Sequence, residues 1–190
     1  MKVVLYLFWL LLATEIAANS ADFTVSILTN DVPNARQMAE TASGLLLVGT
    51  RRAGKLYAVV PPPTVDADPE VVTFATGLTM PSGIALLDGD LYVGALNRIL
   101  RFPSIETTFR ENPQPQIISD ELPKKRHHGW KYLSVGPDRH LYVPVGAPCN
   151  ICLSDDERYA SILRVDPRTG ASELYARGVR NSVGMAWHPK

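Results

Sequence analysis

The sequence predicts an all-β fold built from successive blades of a β-propeller, and three observations predict it. Whole groups of strands recur at a period of roughly 45–50 residues, within the range of propeller blades. Helical periodicity is weak throughout. Runs rich in Val, Ile, Leu and Tyr alternate with turn clusters, and Pro is frequent at 15 residues, which suits strands and turns rather than helices. A β-sandwich also spaces its strands evenly; recurrence of strand groups, not of single strands, favours the propeller.

Taken in order, the chain begins with a segment to be set apart from the fold. Lys2 supplies a short positive region, Val3 to Ala13 is an almost unbroken apolar run, and small residues follow at Ala17, Ala18, Ser20 and Ala21. This is the pattern of a signal peptide over residues 1–21 with cleavage near Ala18–Ala21. A helix over the apolar run would rise only ~16 Å, short of a ~30 Å hydrocarbon core. An uncleaved anchor is the competing reading. Either way residues 22–190 are exported, to a periplasm or outside the cell, with no stable membrane span.

The first unit then reads as a lead-in strand Arg36–Ala39, a turn at Ser43-Gly44, and strands at Leu45–Gly49 and Gly54–Val59. The second has its lead-in at Ser82–Ala85, a turn at Asp88-Gly89-Asp90, and strands at Leu91–Gly94 and Asn97–Phe102. The third has Tyr132–Val135, a turn at Gly136-Pro137-Asp138, and strands at Leu141–Gly146 and Ser161–Asp166. Gly supplies positive φ and Pro presets φ, so each turn has a mechanism. Pro61-Pro62-Pro63 and Asn112-Pro113-Gln114-Pro115 read as extended connectors between blades. A fourth lead-in begins at Val183–Trp187. About three blades plus one strand cannot close a propeller, and an open stack exposes sheet edges. The expectation is a fragment of a longer reading frame.

Charge narrows the partners. Lys plus Arg and Asp plus Glu balance at 19 each, so no nucleic acid or anionic membrane is drawn to the whole surface. Lys124-Lys125-Arg126 is the one basic cluster and reads as a solvated face. Cys149 and Cys152, spaced Cys-Asn-Ile-Cys in an exported chain, are a disulfide candidate, with two free thiols as the next option. No His follows Cys152 for haem attachment, and no second Cys or His pair completes a zinc site.

Two loops carry residues suited to chemistry. His127 and His128 precede the third lead-in strand, and loops of this kind gather at one mouth of a propeller's channel. Imidazole titrates near neutrality and can take a proton from a hydroxyl; a solvated surface pair is the competing reading. Arg180 and Asn181 hold the corresponding place one blade later. A guanidinium fork matches a carboxylate or carbonyl, whereas a linking turn with Asn181 bonded to its own backbone would account for them structurally.

The runs His127-His128-Gly129-Trp130 to Gly136-Pro137-Asp138, Gly146-Ala147-Pro148-Cys149-Asn150-Ile151-Cys152 and Gly178-Val179-Arg180-Asn181 together resemble the soluble quinoprotein glucose/sorbosone dehydrogenase family. Val32–Arg36 and Pro81–Ala85 do so too, nearest the sorbosone-dehydrogenase-like branch. The resemblance implies a six-bladed β-propeller of which residues 22–190 are the N-terminal half, inactive alone. It implies the cofactor pyrroloquinoline quinone (PQQ), with calcium held by ligands beyond residue 190, so that no metal ligand is named here. It implies a sugar or related alcohol or aldehyde as substrate, oxidised by hydride transfer to the quinone, and an external electron acceptor. His128 matches the general base, and Arg180 and Asn181 match the quinone-binding pair. Two departures point away from glucose: His127 stands where the glucose-oxidising branch has an acid, and Met80-Pro81-Ser82 where it has a Gln. Two other functions compete. One is a non-catalytic propeller that binds a protein or glycan. The other is a calcium-dependent lactonase, which would need converging carboxylates that the His loop does not supply.

Overall fold

In the computed structural model, which describes residues 25–64 and 67–189, strands follow one another with a single short helix among the described residues. The first sheet runs β1 (Ala35–Glu40), β2 (Leu46–Thr50), β3 (Leu56–Val60), β4 (Glu70–Ala75). The second runs β5 (Gly83–Leu87), β6 (Asp90–Gly94), β7 (Ile99–Phe102), β8 (Gln116–Ser119), with α1 (Ile105–Thr108) between its last two strands. The third runs β9 (Ser134–Val135), β10 (Leu141–Val145), β11 (Ser161–Val165), β12 (Ser172–Arg177). Each is an antiparallel meander in chain order. The chain is a partial β-propeller of three blades, with β1, β5 and β9 innermost and adjacent.

The core lies between blades because each sheet buries both faces. Leu47, Leu56, Ala58 and Phe74 of the first blade pack on Ile84, Leu91, Val93, Leu100 and Phe102 of the second. Ala85, Tyr92 and Ile99 on the second blade's other face meet Leu133, Leu141, Val143, Val145 and Leu163 of the third. Alternation along a strand decides which interface a residue joins: Leu47 faces the second blade, and its neighbour Val48 packs with Tyr57 and Val59 on the far side.

Polar groups fasten the innermost strands. The side-chain amide oxygen of Gln37 accepts from Ile84 N (3.1 Å) and Leu133 N (3.1 Å), and its Nε2 donates to Leu133 O (2.8 Å). One side chain thus bridges all three blades. Ser82 Oγ donates to Lys131 O (2.9 Å) and accepts from Lys131 N (3.1 Å). The glycine that ends β6 has its reason here. A β-carbon at Gly94 would stand 2.9 Å from Lys131 Cβ, so the crossing segment comes this close only over glycine. Lys131 itself is 2% exposed, and its Nζ donates to Gly129 O at 3.0 Å.

Some expectations need correction. Pro61–Pro63 joins β3 to β4, and Asn112–Pro115 joins α1 to β8, so both lie inside blades rather than between them. Proline dictates an extended backbone but does not say on which side of a strand it falls. In the Gly136-Pro137-Asp138 turn the left-handed residue is Arg139 (φ 63), with Gly136 N bonded to His140 O at 2.9 Å. Asp88-Gly89 does match its reading, with φ positive at both positions (53 and 82). Val183–Trp187 forms no ladder; it lies over the outward face of the third blade, Trp187 against Tyr142 (ring centroids 4.6 Å) and donating Nε1 to Ser134 Oγ (3.1 Å). The signal peptide expected over residues 1–21 lies outside the described residues. Among those described, no helix is long and apolar enough to cross a membrane.

Two predictions follow from the inter-blade fastening. Gln37→Leu leaves peptide groups of two blades without partners and should lower unfolding stability by roughly 2 kcal/mol or more, read by urea titration. Burial pushes the Lys131 amine down to about 8 from its ordinary 10.5. Between these values the unfolded chain binds more protons than the folded one, so stability rises with pH across that window, and below it the buried charge is a constant cost. The urea midpoint of the native protein should therefore gain on that of Lys131→Met as pH is raised from about 8 to 10. Parallel midpoints would show that Lys131 is not desolvated.

Candidate functional site

In antiparallel meanders every second connection falls at the same end. The loops β2–β3, β4–β5, β6–β7, β8–β9 and β10–β11 and the segment after β12 therefore share one face. Hydrogen bonds between them agree: Thr50 N to Pro81 O (2.9 Å), Leu96 N to Thr79 O (2.9 Å) and Val179 N to Ala160 O (2.9 Å). His128, Arg180, Asn181 and the cysteine pair all lie on this face.

The β10–β11 loop draws the two candidate segments together. Cys149 and Cys152 are joined by a disulfide. Ala147 N donates to Arg180 O (2.8 Å), while Ala147 O receives a hydrogen bond from His128 Nδ1 (3.0 Å). Asn150, enclosed by the two cysteines, accepts at Oδ1 from Arg180 Nη2 (3.1 Å) and from His127 Nε2 (3.1 Å). A guanidinium can only donate, which identifies the shared Asn150 atom as oxygen and His127 Nε2 as protonated. The two imidazoles lie edge to face, 4.1 Å between centroids.

Gly146 makes this approach possible. A β-carbon there would sit 2.5 Å from His128 Cβ, 2.7 Å from His128 O and 2.7 Å from Asn181 Oδ1. His128 and Asn181 therefore close on the same backbone position. His128 is half-buried and holds φ 48, a left-handed conformation costly for a residue with a β-carbon. A carbonyl can only accept, so Nδ1 carries the proton and a neutral His128 presents Nε2 as its basic nitrogen. Arg180 is exposed. Beside the disulfide loop a hollow of about 440 Å³ is lined by residues including Asn150, Gly178 and Arg180.

The Gly136-Pro137-Asp138 part of the motif lies at the opposite end of the third blade. There Asp138 accepts from Arg164 Nε (2.6 Å) and Tyr142 OH (3.1 Å), so it shapes the blade and not the site. Lys124, Lys125 and Arg126 are exposed, as a solvated cluster would be. Sequence reasoning gave no role to Asn150 or Ala147, though a polar residue enclosed in a two-residue staple was a usable signal. It read Trp130 within the His127–Trp130 run but gave no partner for its ring, which lies under the guanidinium carbons of Arg51 (3.9 Å) and Arg36 (5.0 Å).

The donor set fits an o-quinone with carboxylate groups: Arg180 and Asn181 offer a guanidinium and an amide for anionic and carbonyl oxygens, on the face that carries the His128 imidazole. Calcium is different. Among the described residues no group of three or more His, Cys, Asp or Glu converges to hold a metal ion, and none is assigned to it.

Comparison with known proteins places the fold. No family model matches the chain. An uncharacterised protein of Borreliella burgdorferi is 27% identical over 179 residues, covering 88% of this chain and 45% of that protein. Among solved structures, the PQQ domain of pyranose dehydrogenase from Coprinopsis cinerea, in its holo form, superposes with a TM-score of 0.68 at 16% identity, covering 84% of this chain and 42% of that one. The PQQ-bound aldose sugar dehydrogenase from Streptomyces coelicolor gives 0.56 at 22% identity, covering 76% and 48%. The calcium structure of a Trichoderma reesei carbohydrate-active enzyme of family AA12 gives 0.56 at 17% identity, covering 73% and 36%. These likenesses bear on the fold, and the chain spans less than half the length of each of these proteins.

The close contacts at Gly146 yield a prediction. Gly146→Ala must displace the backbone of the His128 loop and should cost about 1–3 kcal/mol. Gly184→Ala, which meets nothing within 4 Å, is the control and should leave the melting temperature unchanged.

Proposed function

We propose that the chain supplies part of the active site of a PQQ-dependent oxidoreductase that oxidises a sugar or a related alcohol or aldehyde. The observation that carries this reading is the convergence on Ala147 and Asn150 of His128 and Arg180, from loops one blade apart. The likeness in fold to the PQQ domain of a pyranose dehydrogenase supports it.

In this reading Arg180 and Asn181 hold the quinone's oxygens, and the cofactor, when bound, supplies the two-electron acceptor that receives the hydride from the substrate carbon. His128 Nε2 takes the proton of the substrate hydroxyl, so the O–H and C–H bonds break with the proton on the protein. The Ala147 carbonyl, already bonded to Nδ1, then stabilises the imidazolium. Asn150 positions Arg180 and holds His127 Nε2 on the same oxygen. The electrons leave to an external acceptor. Export to the periplasm or medium accords with the Cys149–Cys152 disulfide, since such bonds persist in oxidising compartments. A non-catalytic module for a protein or glycan is the second reading. It draws on the apolar tip of the stapled loop, where Ile151 and Leu153 are 96% and 101% exposed.

The test uses the full-length protein with PQQ, calcium, an artificial electron acceptor and a panel of aldoses. Dye reduction should appear, and His128→Ala should lower kcat by about 10²–10⁴-fold. His128→Gly should be as inactive, yet more stable than His128→Ala by about 1 kcal/mol, because glycine relieves the left-handed strain. No quinone-dependent spectral change, or full activity in His128→Ala, would sink the oxidoreductase reading.

A further inference from the structure

Outside the site just described, the same face carries a pocket of about 410 Å³ lined by Arg51, Arg52, Leu78, Thr79, Met80 and Arg126. Several arginines elsewhere are paired with acids: Arg101 with Asp90, Arg110 with Glu70, Arg158 with Asp156, Arg164 with Asp138, and Arg177 with Glu157. Among the described residues, Arg36, Arg51, Arg52 and Arg126 form no ion pair. A chain with as many acids as bases has nonetheless left this pocket without an acid.

The arrangement is held in place. Arg51 and Arg52 stand on a loop whose flanks are pinned, Thr50 N to Pro81 O (2.9 Å), Thr50 Oγ1 to Lys55 O (2.6 Å) and Leu78 N to Gly54 O (3.0 Å). The Arg51 guanidinium rests over Trp130. Partial burial, then the neighbouring charges of Arg52 and Arg36, lower its proton affinity, as expected of cations gathered without a counter-charge. The pocket also shares a wall with the His loop. Arg126 O accepts from Gly129 N (3.1 Å), closing the turn that contains His128, and Leu96, which backs Gly129, donates its N–H to Thr79 O (2.9 Å).

We infer that this arginine pocket receives an oxyanion substituent of the substrate, so that the sugar presented to His128 is an acidic one, bearing a carboxylate or a phosphate ester. The identity of the reacting end rests on the oxidoreductase reading; the anion pocket does not. Guanidinium groups fixed on a pinned loop bind such oxyanions by charge-assisted hydrogen bonds and make a neutral sugar the poorer ligand.

The experiment is direct binding to the full-length protein without quinone, by calorimetry and tryptophan emission. The probes are D-galacturonate and glucose 6-phosphate against D-galactose, D-glucose and inorganic phosphate. An acidic sugar should bind at least about tenfold tighter than its neutral counterpart, and more weakly as salt is raised. The comparison of galacturonate with glucose 6-phosphate identifies the oxyanion. The double variant Arg52→Gln/Arg126→Gln, at two exposed positions, should erase that preference at an unchanged melting temperature, and Trp130→Phe should remove the emission change. Equal binding of acidic and neutral sugars, equal binding of inorganic phosphate, or a preference that survives the double variant overturns the inference. Turnover of neutral aldoses without acidic preference would sink the inference alone. Tight binding of galacturonate with no quinone-dependent oxidation would sink the oxidoreductase reading and leave only an anion pocket.

Discussion

The side-chain amide of Gln37 sits where the three innermost strands meet, bonded to the backbones of Ile84 and Leu133. A propeller blade has good reasons to form as a sheet, but sheets need a further reason to stand at a fixed angle to one another. Apolar contacts between blades are non-directional. The Gln37 amide, with the Ser82–Lys131 exchange beside it, adds direction. Lys131 and Leu133 follow His128 by a few residues, so the bonds that fix the third blade also fix where the imidazole emerges.

The site depends on a second, smaller constraint. Ala147 and Asn150 belong to neither candidate segment, yet between them they bond both. The strain at His128 is borne because several partners determine its position at once: the Ala147 carbonyl, the tight turn closed by Gly129 and the absent β-carbon of Gly146. On the same face, Arg51, Arg52 and Arg126 gather around a pocket that no acid lines.

The sequence disclosed what is periodic or local. Inner strands such as Leu46–Thr50 and Leu91–Gly94 carry apolar residues on both sides and announce themselves as buried strands. The outer strands β4, β8 and β12 do not, because each mixes exposed with partly buried side chains and so carries no continuous apolar run. Helix α1 is four residues long and too short for any periodicity to register. His128 and Arg180 were legible as separate loop residues at equivalent points of successive units. That Asn150 joins Arg180 to His127 was not legible, because it depends on how far the stapled loop leans, and so on packing between blades. The stack of Arg51 on Trp130 was hidden for the same reason, as it joins residues of different sheets.

The meander topology also bears on how the chain acquires its shape. Every ladder joins strands consecutive in the chain, whereas Gln37 reaches Leu133 across 96 positions. The entropy of closing a loop grows only with the logarithm of its length, so the longer seam is affordable, but it cannot form until the later segment exists. During synthesis the sheets become available one after another, and the seam at Gln37 comes due only once the third has been made. Until then a polar side chain waits at the centre with water for its partner, a temporary hydration that the finished molecule gives up.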